Sequence, residues 1–180
     1  MSRLATELRH CGLALGLTCG LIFFLVACSA SQEEGINEIM ELKFSVTSNK
    51  QRYATDEPIL VTVSLENVGS KTLTVNGRLL LNHASAPEFA RDLHFDITGP
   101  ENYSNRNLFR VNAGAPGAAD LVELAPGEMH QRTIELTRFH SLHLSGQYTL
   151  VAHYLSAVPV AGFNVWQGSL QSDSLSLERR

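Results

Sequence analysis

Residues 59–66 read Ile-Leu-Val-Thr-Val-Ser-Leu-Glu, and Asn67-Val68-Gly69 follows at once. Ile59, Val61, Val63 and Leu65 alternate with Leu60, Thr62, Ser64 and Glu66. Successive side chains of a strand point to opposite faces, so this period of two predicts a half-buried strand closed by a turn. Helical spacing does not fit the run. Working outward, the same alternation recurs at Leu42-Phe44-Val46, Leu73-Val75, Leu79-Leu81, Leu93-Phe95-Ile97, Ile134-Leu136, Tyr148-Leu150-Ala152-Tyr154 and Leu175-Leu177. Turn signals separate the runs: Asp56-Glu57-Pro58, Asn76-Gly77, Gly99-Pro100, Ala125-Pro126-Gly127 and Ser145-Gly146. Seven to nine short antiparallel strands without helical crossovers predict an all-β sandwich over residues 41–180. A short helix has room only near His83 to Arg91. The roughly 140 residues of this region suit one domain and are enough to bury about two-thirds of the unfolded chain's surface.

Leu144-Ser145-Gly146-Gln147-Tyr148-Thr149-Leu150 resembles the approach to strand F of immunoglobulin-like domains, where a tyrosine hydroxyl folds back onto the backbone. The resemblance implies an immunoglobulin-like sandwich with Leu150 in place of the usual core cysteine, faced by Val63 or Leu65. No cysteine pair is present, and the single Trp166 falls after this strand, which excludes an antibody-type domain. Together with Glu66-Asn67-Val68-Gly69, Leu124-Ala125-Pro126-Gly127-Glu128 and Trp166-Gln167-Gly168, these motifs resemble bacterial secreted β-sandwich modules. They speak of strands and turns and assign no catalytic residue.

The amino terminus predicts an address. Gly12 to Ala27 is an apolar stretch of 16 residues, short of the roughly 20 that a helix needs to cross a bilayer. Arg3 and Arg9 precede it, as in a secretory signal. Leu25-Val26-Ala27-Cys28 resembles the lipobox of bacterial lipoproteins. That resemblance implies cleavage of residues 1–27, a lipid on Cys28, a polar tether over 28–40 and, from Ser29, sorting to the outer membrane facing the periplasm. A membrane partner reached through the lipid is therefore expected. Cys11 and Cys19 would leave with the leader, so no disulfide is expected and the fold must rest on its apolar core. The whole chain has 14 Lys and Arg against 18 Asp and Glu; losing Arg3, Arg9 and Glu7 leaves 12 against 17, a net of −5. With no basic run, nucleic acid is not an expected partner. Arg179-Arg180 reads as a solvated end.

Catalytic motifs are not found. His140-Ser141-Leu142-His143 lacks the spacing and the glutamate of a zinc peptidase helix, and no Gly-x-Ser-x-Gly elbow occurs. Asp92 and Asp96, near Glu88, read as outward, solvent-facing charges. The loop Asn112-Ala113-Gly114-Ala115-Pro116-Gly117 lacks the lysine of a phosphate loop. Neither enzyme activity nor a cofactor is expected. Histidine offers the remaining metal chemistry: His140 and His143 with Met129-His130, and His94 with Asp96 on one strand face. No metal site is assigned from these.

Two long connections remain as candidate binding loops, Gly99 to Ala119 with Tyr103, Arg106, Phe109 and Arg110, and Leu155 to Ser169 with Phe163 and Trp166. Aromatic and arginine side chains on loops suit a protein-facing hot spot. The alternative for Phe163 and Trp166 is that they fold back and plug the sandwich. The expected function is a lipid-tethered, non-catalytic module that binds or scaffolds another envelope protein. A β-sandwich proteinase inhibitor is the alternative, with an envelope metal-binding protein behind it.

Overall fold

The computed structural model describes residues 41–106, 108 and 110–180. Cys28, the leader, the tether and Phe109 lie outside the described residues. Ten strands follow in chain order: β1 (Leu42–Ser48), β2 (Arg52–Tyr53), β3 (Leu60–Asn67), β4 (Leu73–Asn76), β5 (Leu93–Thr98), β6 (Leu121–Leu124), β7 (Met129–Glu135), β8 (Gly146–Ser156), β9 (Gly168–Gln171) and β10 (Leu175–Arg179). One sheet has the order β1-β3-β7, a second has β2-β10-β8-β5 with β9 also on β8, and β4 pairs with β6. All pairs are antiparallel except β2 with β10, which run parallel. The described residues form an all-β sandwich.

The opening stretch does what its period predicts. On β3, Val61, Val63 and Leu65 are fully buried, and their register sets Val63 opposite Val46 of β1, and Val61 opposite Ile134 of β7. On the facing sheet, Tyr148, Leu150, Ala152 and Tyr154 of β8 alternate inward in the same way and join Leu93, Phe95 and Ile97 of β5 in one core. Two rows of branched and aromatic side chains thus meet between the sheets, and their removal from water supplies the main favourable contribution to folding. The hydroxyl of Tyr148 donates to the carbonyl oxygen of Leu144 at 2.8 Å, the expected corner at the entry to β8. Ser172 interrupts the edge between β9 and β10; its hydroxyl accepts the N–H of Ala152, so the break leaves that donor satisfied.

Three expectations change. Leu79-Leu81 is no strand but holds a single parallel bridge from Leu81 to Leu93: the carbonyl of Leu80 accepts the N–H groups of Asp92 and Leu93, its own N–H donates to Asp92 Oδ2 at 2.8 Å, and Leu79 sits at φ +46°. Asp92 is therefore no outward charge but is 2% exposed. Arg179 is no solvated end either. It is buried, donating to the carbonyl oxygens of Leu142, Ala54 and Glu57 and so fastening β10 to two loops, while Arg180 stays outside and pairs with Glu178. The segment near His83 to Arg91 holds a single 3₁₀ turn, Glu88–Ala90. Among the described residues, no helix is long and apolar enough to cross a membrane.

Candidate functional site

Three buried polar residues, Asn76, Asn82 and Asp92, lie together beneath two loops. Asp92 accepts Arg78 Nε at 2.8 Å and Arg78 Nη2 at 2.8 Å through its two oxygens, and also Asn76 Nδ2 at 2.9 Å. Hydrogen bonding to this carboxylate raises the pKa of the Arg78 guanidinium, which stays charged. The rest of the Arg78 fork reaches outward, to the carbonyl oxygen of Phe89 at 3.1 Å and that of Gly114 at 2.8 Å. Asn82, 1% exposed, repeats the connection one step away: Nδ2 donates to the carbonyls of Ala90 and Val111, and Oδ1 accepts the N–H of Val111. The 86–90 segment and the 110–114 segment are thus cross-linked through Arg78 and Asn82 from beneath.

Between these segments lies a groove of about 340 Å³, lined by Ala86, Pro87, Phe89, Arg110, Val111 and Ala113 among others. Phe89 is 46% exposed, a large apolar ring left to water on a turn that is otherwise pinned. Such a ring beside an arginine, on walls that need no ordering, has the makings of a binding site.

Of the six candidate binding residues, the five that are described scatter, and Phe109 lies outside the described residues. Arg110 lines this groove. Arg106 is exposed, and its N–H donates to Ser104. Tyr103 is half-buried and stands edge-on to Tyr148, ring centres 5.2 Å apart; burial, with the neighbouring Tyr148 adding to it, pushes its hydroxyl up to about 12. Phe163 is half exposed on a tight turn closed by its own N–H to Val160. Trp166 folds back: its ring stacks on Tyr154 at 6.0 Å, its backbone N–H donates to the carbonyl oxygen of Thr74 at 2.8 Å, and the side chain packs against the core. Gly168 makes room for it, for a Cβ there would stand 2.8 Å from Trp166 Cη2. Trp166 is a plug in this fold.

The histidines sort differently from their order in sequence. His140 is 1% exposed, edge-on to Phe95, with no hydrogen-bond partner in the protein for either ring nitrogen. Burial pushes it down to about 4, with a smaller like-charge effect from His83. His143 is exposed against Ser141, and His130 bonds the carbonyl of Gly77, so the His140-His143-His130 grouping is not brought together. His94 and Asp96, in contrast, are joined by His153 of the neighbouring strand. Burial first, then His153 and Arg91, push His94 down to about 4. Sequence reading missed His153, whose place follows only from the β5–β8 register, and it missed Phe89, Arg78 and Asn82, which no local motif marks. No family model matches the chain, and no curated protein matches it.

Proposed function

We propose that the chain is a lipid-tethered, non-catalytic module of the bacterial envelope that docks another envelope protein in the groove beside Phe89. The tether rests on the lipobox-like Leu25-Val26-Ala27-Cys28, with the sandwich carried at the outer membrane and facing the periplasm. One observation carries the docking surface: Phe89 stands 46% exposed on a turn whose backbone is held by Arg78 and the buried Asn82. A partner segment that places an apolar side chain against Phe89 and Val111 and a carboxylate near Arg110 fits this chemistry. Because both walls are already fixed, docking spends little of its favourable free energy on ordering loops.

A photoreactive amino acid placed at Val111 in the native envelope tests this reading. The expected result is a discrete adduct that disappears in the Phe89→Glu variant, while the same probe at Lys50, on a distant turn of the sequence, gives no such adduct. Adducts insensitive to Phe89→Glu, or equal at both probes, would overturn it.

A further inference from the structure

His94 of β5 and His153 of β8 are directly opposite each other in the antiparallel register. Asp96 follows His94 by two residues and therefore shares its face of the sheet, the one turned away from the core. The two imidazole rings stack at 4.3 Å with 7° between their planes. His153 Nε2 lies 3.0 Å from Asp96 Oδ2. His94 Nδ1 is buried and has no hydrogen-bond partner in the protein. One donor atom from each of the three residues lies within 4.8 Å of the others. A tetrahedral ion with bonds near 2.0–2.1 Å holds its ligand atoms about 3.4 Å apart. The gap is at most about 1.4 Å, and rotation about χ2, a soft torsion in both histidine and aspartate, can bring the donors inward.

We propose that His94, Asp96 and His153 form a three-ligand site for a divalent transition metal ion, zinc or copper(II), on the outer face of the β5–β8 pair. Two neutral imidazoles and one carboxylate are the borderline donor set these ions take, and hard ions such as magnesium or calcium prefer all-oxygen surroundings. A three-residue set leaves a fourth position, and here it opens on a groove of about 460 Å³ lined by Arg91, Leu155, Ser169 and Gln171 as well as the two histidines. Gln171 of β9 is opposite His153 on its other side, so His94, His153 and Gln171 form one row across three strands. Water or a donor atom of a bound partner completes the coordination. Arg91 is the opposing charge nearby, in the same groove, and its Nη1 donates to the carbonyl oxygen of Ala84. The site is separate from the Phe89 groove and stands or falls without it.

The test is calorimetric titration of the full chain in detergent, thiols alkylated and metal stripped by chelator, with zinc chloride and with copper(II) chloride near pH 7.5. One equivalent of zinc or copper is expected to bind. His94→Ala and His153→Ala should each weaken that binding roughly tenfold or more, since loss even of a supporting outer residue costs that much. Asp96→Asn, at an exposed position that keeps the side chain's size, should weaken it severalfold and covers the case in which a histidine variant does not fold. His143→Ala should change nothing, and Arg91→Gln should tighten binding by removing an opposing charge. Zinc should also raise the thermal midpoint of the parent chain, and raise that of Asp96→Asn by less. Absence of binding by the parent, or binding that the His94, Asp96 and His153 variants share equally with it, would overturn the proposal.

Discussion

Asp92 grips Arg78 through two N–H···O bonds of 2.8 Å, from side chains 2% and 14% exposed, and this pair carries the turn on which Phe89 stands. A buried pair adds little over an apolar replacement, but breaking it strands a charge. Asp92→Ala also orphans the N–H of Leu80 and the amide of Asn76. The expected loss is about 3–5 kcal/mol in urea unfolding. A loss below about 1 kcal/mol would contradict the role assigned to the pair.

Phe89→Glu is expected to leave stability within about 0.5 kcal/mol of the parent, since the ring is half exposed and its backbone contacts do not depend on the side chain. The same variant should lose partner capture at the groove. Unfolding curves and crosslinking on one preparation separate the two effects.

Trp166→Ala reverses that pattern. The half-buried ring packs on Tyr154 and the core, so its removal should cost about 2 kcal/mol, below the range for a fully buried tryptophan. Capture at the groove should persist. Gly168→Ala should destabilise in the same direction, because Gly168 holds φ +149° and a Cβ there meets the indole.

His140 gives the domain an acid-labile core. Its imidazole is held neutral to about pH 4 when folded, against an ordinary value of 6.5 in the unfolded chain. Between those values the unfolded state binds the extra proton, so stability is complete above about pH 6.5 and declines as pH falls toward 4. One such group contributes a slope of up to about 1.4 kcal/mol per pH unit. His140→Leu fills the place against Phe95 without an unpaired nitrogen, and should flatten the acid limb of the stability–pH curve and hold or raise stability at pH 7. An unchanged acid limb would contradict this.

The sandwich was legible where side-chain burial follows a period of two: β3, β5 and β8 carry it, and Tyr148 announces its own corner. It was illegible where side chains replace the ladder. Leu79-Leu81 alternates like a strand, yet the N–H of Leu80 goes to the Asp92 side chain, 12 residues on, and only one bridge, to Leu93, forms. The strands β2, β6 and β9 are two to four residues long and offer too few positions for a period to show. The same limit governs the sites. His94 and Asp96 share a strand and could be paired by eye, whereas His153 lies 57 residues beyond Asp96 and joins them only through the register. Arg110 is legible as a loop arginine, but its groove needs Phe89, brought up by Arg78 and Asn82 from under the surface. Arg179 looked like a polar tail because nothing adjacent in sequence reveals the three carbonyls that receive it.

The proposal that the sandwich is tethered at a membrane rests on Cys28. Intact mass measurement of the protein extracted from its native membrane tests this most directly. The predicted result is an amino terminus at Cys28 whose sulfur carries a diacylglyceryl group. A chain retaining residues 1–27, or one with a free thiol at Cys28, would contradict it.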